Sequence, residues 1–207
     1  MPFLRDAVID DETYESGDLG INYPITFGEI DHNTYQEWGY WYLPISFPAD
    51  GNDFIIDNKG YYILGDHTPD FAMSGLHGTF QYNGPAYGTY WSNAGGVDME
   101  GGFSCNVSFD TESISNFSLV VTNGETGTAL RSAAIENANG NFSGSQFKLN
   151  TGSGKWTLVN GLIPNDATNK ACAGSLYGLN GECIGGAWGM QLLVNEGVVG
   201  VFQGDKH

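Results

Sequence analysis

From Leu76 to the C-terminus, apolar and polar residues alternate with a period of two, interrupted at short intervals by Gly, Asn and Asp. That period sends successive side chains to opposite faces, so each run predicts a strand with one buried face. LHGTFQY (Leu76 to Tyr82) and AYGTYW (Ala86 to Trp91) flank Asn83-Gly84-Pro85, which predicts a hairpin turn. MEGGFSCNVSF (Met99 to Phe109) alternates, DTES reverses the chain, and ISNFSLVV (Ile114 to Val121) returns. Further strands are predicted in LRSAAIENA (Leu130 to Ala138), NFSGSQFKL (Asn141 to Leu149), KWTLVNGLI (Lys155 to Ile163), ACAGSLYG (Ala171 to Gly178), CIGGAWGMQLLV (Cys183 to Val194) and VVGVFQG (Val198 to Gly204).

Many short strands leave exposed edges unless the sheet closes, and Gly101, Gly102, Gly144, Gly185, Gly186 and Gly189 supply the bends that closure needs. The expectation is an all-β fold, a small antiparallel up-and-down β-barrel of about eight strands. Runs beyond that number are expected to be loops or extensions, and helix is limited to a turn or two. A barrel of this size is filled by side chains or holds one small ligand. Phe103, Phe109, Phe117, Phe142, Trp156, Trp188 and Phe202 are enough bulk to fill it.

The first 70 residues differ. Residues 1–33 carry Asp6, Asp10, Asp11, Glu12, Glu15 and Asp18 and read as an acidic, partly ordered arm. TYQEWGYWYLPISF (Thr34 to Phe47) is strand-like, and NDFIIDNKGYYILGD (Asn52 to Asp66) has an Asp57-Asn58-Lys59-Gly60 centre that predicts a hairpin. Residues 34–70 are expected as attached strands or a lid on a barrel domain spanning 34–207. In the aromatic run, Trp38, Tyr40 and Tyr42 face one side and Trp41 the other. Aromatics with polar tips suit a binding surface, which makes Trp38, Trp41 and Tyr42 candidate contact residues. The competing expectation is that both faces are covered, one by the barrel and one by the arm.

Charge narrows the partners. With 24 Asp and Glu against seven Lys and Arg, the formal net charge of the 207 residues is -17. Neutralising phosphates needs clustered cations, so nucleic acid is excluded; a basic protein or a cation is favoured. No run approaches the roughly 18 apolar residues of a membrane helix. The start, MPFLRDAVIDDE, lacks the apolar core of a signal peptide and a lipidation Cys, so a mature piece or an excised domain is expected, with a complete cytosolic protein as the alternative. Cys172 and Cys183 flank the GLNGE turn; opposed on a hairpin, they could form a disulfide. Cys105 shares a face with Phe103, Val107 and Phe109 and is expected to be a buried thiol.

Motif chemistry is sparse. No metal spacing of C-x-x-C or H-x-x-x-H type occurs, and Asp50, Asn52, Asp53 and Asp57 lack the EF-hand order. A haem would need His32, His67, His77 or Met73 as axial ligand, without a C-x-x-C-H site. G-x-S-x-G is absent and GETGTAL lacks the Walker lysine, so no enzyme is expected, nor any cofactor.

In the tail, Tyr177, Gly178, Asn180, Gly181, Glu182, Gly185, Gly186, Trp188, Gly200, Val201, Phe202, Gly204 and Lys206 fall on a pattern of F/L-Y-G-P-N-A/G-E-E-x-G-G-x-F/W, a variable loop and G-V-F-G-A-K. Leu179 stands for the Pro, Cys183 for the second Glu and Gln203 for the Gly. This resembles the C-terminal barrel of transferrin-binding-protein-B-like surface lipoproteins of Gram-negative bacteria, the Slam-dependent type. The strand of WGYW type, GYYxxGD and AYGTYW together are similar to tails of long secreted proteins, some with FecR-like domains. The resemblance implies a secreted or surface-displayed, non-enzymatic barrel that binds a partner protein or solute through loops and the attached lobe. It adds Asp166, Asn169 and Lys170, in the expected loop PNDATNK, to the contact candidates. The alternatives are a ligand-free structural or export module ending a larger secreted protein, and a lipocalin-like carrier of a small ligand such as haem.

Overall fold

The computed structural model describes residues 26–49, 52–92, 95–124, 131–160, 163–193 and 196–207. Three strands come first: β1 (Thr26–His32), β2 (Gln36–Ala49) and β3 (Asn52–Gly65). A single helical turn, α1 (Asp70–Met73), precedes β4 (Thr79–Ser92), β5 (Gly95–Ser108), β6 (Ser113–Thr122), β7 (Arg131–Ser143) and β8 (Gln146–Leu149). Then come β9 (Lys155–Asn160), β10 (Ile163–Asp166), β11 (Asn169–Tyr177), β12 (Cys183–Leu193) and β13 (Glu196–Lys206).

The second sheet closes on itself. Its order is β10-β9-β7-β6-β5-β4-β13-β12-β11-β8, and β8 also pairs with β7. Eight antiparallel strands (β4, β5, β6, β7, β8, β11, β12 and β13) thus make the barrel predicted from alternation. Long β7 serves two neighbours: its start pairs with β9 at Arg131↔Asn160 through Glu136↔Lys155, and its end pairs with β8 at Gly140↔Leu149 through Ser143↔Gln146. The hairpin of β9 and β10 is therefore an extension of the wall.

Inward positions are filled. Phe202, fully buried, meets the rings of Phe103 at 4.5 Å, Phe117 at 5.2 Å and Phe147 at 6.3 Å between centroids. Phe109, Phe142, Trp156 and Trp188 join the same buried cluster, as the alternation indicated. The interior is a packed aromatic and aliphatic core.

Two predicted turns are continuous strand instead. β4 runs through Asn83-Gly84-Pro85, pairing there with Ser104, Phe103 and Gly102 of β5. Proline lacks an N–H and belongs where a ladder is interrupted; the β13 side of β4 passes from Phe202↔Ala86 directly to Asp205↔Asn83. Gly84 is there because a Cβ would collide with the Gln203 carbonyl, not because the chain turns. Likewise β3 runs through Asp57 to Gly60, and the link between β2 and β3 lies outside the described residues.

Of the expected acidic arm, residues 1–25 lie outside those described, while Thr26–His32 form β1. β1, β2 and β3 make a separate sheet in that order, its inner face laid on the barrel wall. Trp38 is 1% exposed and meets the Tyr87 ring edge-on at 5.3 Å. Asn33 closes the bend into β2 by accepting from the backbone N–H of Tyr35 and Gln36, and its amide donates to Cys183 Sγ at 3.2 Å on the barrel.

The expected disulfide does not form: Cys105, Cys172 and Cys183 are all free thiols. In the register of β11 and β12, Cys172 lies opposite Trp188 and Cys183 opposite Tyr177. Pairing the two cysteines would require a slip of five residues, an odd number, which turns every side chain of the strand to the wrong face. Cys172 belongs to the interior cluster, whereas Cys183 bonds to Asn33 and Asp205 on the outer wall.

Candidate functional site

The outer face of the three-stranded sheet gathers several partly exposed aromatic rings side by side. Period-two geometry sends Trp38, Tyr40, Tyr61 and Ile63 toward the barrel, leaving Phe27, Trp41, Tyr62 and Leu64 outward. Phe27 is 47% exposed and Leu64 44%. The Tyr62 ring covers Gly39, the Trp41 ring covers Gly60, and Phe27 packs edge-on against Tyr62 with centroids 6.3 Å apart. Glycines opposite aromatics let the rings lie flat on the strands. Glu29 and Glu37 frame this paving, and the Tyr62 hydroxyl donates to Glu37 Oε1 at 2.9 Å. Burial, followed by that bond, pushes the Tyr62 phenol up to about 12, so it stays a neutral donor.

Beneath the same sheet lies an open cleft of about 320 Å³ against β4 and β5. Tyr40, Tyr61 and Tyr87 line it with rings, and Lys59, Asp98 and Glu100 line it with charge. Lys59 Nζ donates to Asp98 Oδ2 at 2.8 Å and sits 4.4 Å from the Tyr40 ring centroid. Thr89 Oγ1 donates to Asp98 Oδ1 at 2.8 Å, so the Tyr61 hydroxyl, 2.7 Å away, donates to Thr89. Desolvation raises the Tyr61 phenol well above its ordinary value, which keeps that proton in place.

The sequence candidates separate. Trp38 is sealed between sheet and barrel, Trp41 is half-buried on the outer face, and the Tyr42 side chain lies outside the described residues. PNDATNK is not a long loop: Asp166 ends β10 and Asn169 begins β11, with Ala167 and Thr168 between. Asn169 Nδ2 donates to Gln191 Oε1 at 3.0 Å, Lys170 Nζ lies 5.8 Å from the Trp156 ring, and Asp166 is exposed. Those three lie on the barrel sheet, apart from the aromatic paving. The haem-ligand candidates do not converge either: His32 bonds Glu29, His67 packs on Tyr177 at 5.1 Å, and His77 bonds Asp110 at 3.1 Å. Met73 packs against the barrel core. Among the described residues no group of three His, Cys, Asp or Glu could hold a metal, and the side chains of Asn52, Asp53 and Asp57 lie outside them, as does Asp50.

Phe27, Tyr62 and Leu64 escaped the sequence reading. Tyr62 and Leu64 alternate legibly in GYYILG, but Phe27 joins them only through the pairing of β1 with β2.

No protein-family model matches the sequence, and no curated protein matches it. Solved structures match in fold. The transferrin-binding protein B of Haemophilus parasuis aligns over 89% of this chain and 36% of its own, at 15% identity and a TM-score of 0.59. A structure described as a surface lipoprotein aligns over 100% of this chain and 90% of its own, at 14% identity and a TM-score of 0.51. Intact Ap-TbpB, with N and C lobes, aligns over 88% of this chain and 38% of its own, at 13% identity and a TM-score of 0.50. The fold is that of a transferrin-binding-protein-B-like barrel domain. The chain spans little more than a third of the length of the two transferrin-binding proteins.

In this TbpB-like barrel the tail motif is a strand-closing turn. Gly178 and Gly181 adopt φ of 79° and 61°, where a side chain would be strained. Between them the Asn180 backbone N–H and Nδ2 donate to the Glu182 carboxylate at 2.8 and 2.7 Å. Burial alone would raise the Glu182 carboxyl, but these bonds and Lys206 bring it below its ordinary value. Lys206 then locks the last strand, donating through Nζ to the Asn180 carbonyl at 2.8 Å while lying 4.2 Å from the Phe80 ring centroid. Tyr82, inside the barrel, donates to the Gly181 carbonyl at 2.5 Å. Glu182 and Lys206 thus have a structural role at this end of the barrel.

Proposed function

We propose that this chain is a non-enzymatic recognition domain, displayed on a Gram-negative outer-membrane surface or secreted, that binds a partner protein through the outer face of its three-stranded sheet. The observation that carries this is the outward paving of exposed Phe27 and Leu64 with half-buried Trp41 and Tyr62, on a sheet whose opposite face is packed on the barrel. Rigid aromatics bury area at low entropic cost, and the framing Glu29 and Glu37 select against acidic surfaces. The partner is therefore expected to present an apolar patch ringed by Lys or Arg. Asp166, Asn169 and Lys170 are a subsidiary contact at the end of β10 and the start of β11. The fold likeness supports a binding role, since the matched proteins include ones named for binding transferrin.

The test measures retention of transferrin, and separately of basic secreted proteins, on the immobilised chain and on Phe27→Ser and Trp41→Ala variants. Each substitution is expected to weaken retention by roughly tenfold or more with an unchanged thermal midpoint. Equal retention by all three would remove the sheet face from the reading. Failure of the intact chain to retain any of these proteins would favour the ligand-free module that ends a longer secreted protein. The carrier reading has no support from the interior, which Phe103, Phe117, Phe147 and Phe202 fill.

A further inference from the structure

We infer that the cleft between the three-stranded sheet and the barrel wall is a binding site for a single alkylammonium or guanidinium head group. Three observations lead there. The first is shape: an open cavity of about 320 Å³, at the lower end of the volumes of small-ligand sites, with three tyrosine rings in its lining.

The second is charge. The ionised groups lining the cleft are Asp98, Glu100 and Lys59, and Lys59 is paired with Asp98 at 2.8 Å. Glu100 is exposed and has no hydrogen-bond or ion-pair partner among the described residues. The lining therefore carries one carboxylate in excess, which matches one added positive charge and repels an anion.

The third is an internal precedent. The Lys59 ammonium already occupies part of the cleft, 4.4 Å from the Tyr40 ring centroid and 5.7 Å from that of Tyr61. A cation held between aromatic faces and a carboxylate is the arrangement by which proteins recognise organic ammonium groups. Asp98 is held by Thr89, itself held by Tyr61, so this carboxylate is oriented before any ligand arrives. Lys59 is tethered and fills one part; Tyr87 and Glu100, opposite each other on β4 and β5, bound the remainder. Tyr87 is itself held by Trp38, which ties this site to the docking of the sheet.

The chemistry has two possible sources: a free amine or guanidine, and a Lys or Arg side chain of a docked protein. Titration of the full isotope-labelled chain with n-butylammonium, followed by backbone amide resonances, distinguishes them when repeated with n-butanol and with a blocked lysine peptide. Saturable shifts confined to Gly88, Met99 and Glu100, in the millimolar range for n-butylammonium and absent for n-butanol, are expected. Glu100→Gln, a conservative change at an exposed position, is expected to weaken binding about threefold to tenfold with the thermal midpoint unchanged. Lys59→Met removes the internal competitor and leaves the lining with two carboxylates, so it is expected to tighten binding by a similar factor. Peptide binding at the strength of the free amine assigns the site to a small solute; much tighter peptide binding assigns it to a partner's side chain. Equal response to amine and alcohol, or indifference to both Glu100→Gln and Lys59→Met, would overturn the proposal. Because the readout is at the cleft and not on the outer paving, it succeeds or fails independently of partner retention at Phe27 and Trp41.

Discussion

Cys183 shows how a residue's chemistry depends on the face it occupies. Its thiol is 3% exposed, and burial, then the hydrogen bond to Asp205, raises it to about 12. Cys105 is raised to about 12 by burial alone, and Cys172 well above its ordinary value, again chiefly by burial. Nucleophilic thiols react as thiolates. The folded chain is therefore expected to leave all three unmodified by iodoacetamide at neutral pH, and unfolded chain to take up three labels; mass analysis counts them. Glu182 makes a prediction of opposite sign in pH. Its folded pKa lies below the ordinary 4.5, so its stabilisation is complete above that value and is lost as pH falls through the lowered one. Glu182→Gln is expected to cost about 1 kcal/mol at neutral pH and to flatten the acid limb of a denaturation profile.

At the scale of elements, the two tryptophans of β2 should behave oppositely. Trp38 is buried against Tyr87, so Trp38→Ala is expected to destabilise docking of the sheet by about 3 to 5 kcal/mol. Trp41→Ala, on the half-open face, should leave stability within about 1 kcal/mol. Chemical denaturation of the two variants, monitored by amide exchange in β2 and β3, separates them. Their opposite orientation was legible in WGYW because a strand has period two. So were most barrel strands from β5 onward, but NFSGSQFKL, expected as one strand, reverses at Gly144 between β7 and β8, and KWTLVNGLI is divided between the paired β9 and β10. Less legible were the connections: Asn83-Gly84-Pro85 has the composition of a turn, and only the approach of β13 reveals why the strand needs Gly84 and accommodates Pro85 there. The disulfide failed for the same reason, since register is a property of two strands and Cys172 and Cys183 are each locally plausible. The cleft was not legible at all, because Lys59, Tyr87 and Asp98 meet only when two sheets stack.

For the molecule as a whole, the decisive quantity is the excess of 24 acids over seven bases. The core does not sense it: Phe202 lies among three other phenylalanine rings, and Phe202→Ala should cost about 3 to 5 kcal/mol at any salt concentration. The surface does. A net charge of -17 opposes compaction through self-repulsion, while local pairs such as Lys59 with Asp98 favour it. Salt weakens both, because the screening length shrinks from about 30 Å at 0.01 M to about 8 Å at physiological ionic strength. Repulsion among many separated carboxylates acts at long range and is screened first; contact pairs, partly shielded by protein, are screened less. The thermal midpoint is therefore expected to rise when sodium chloride is increased from about 0.01 M to about 0.15 M. It should rise less in a variant in which exposed acids away from the ion pairs, such as Glu112 and Asp66, are changed to Gln and Asn, because part of the repulsion is then already gone. A midpoint that falls with salt would mean that attractive pairs, and not repulsion, dominate the surface of this barrel.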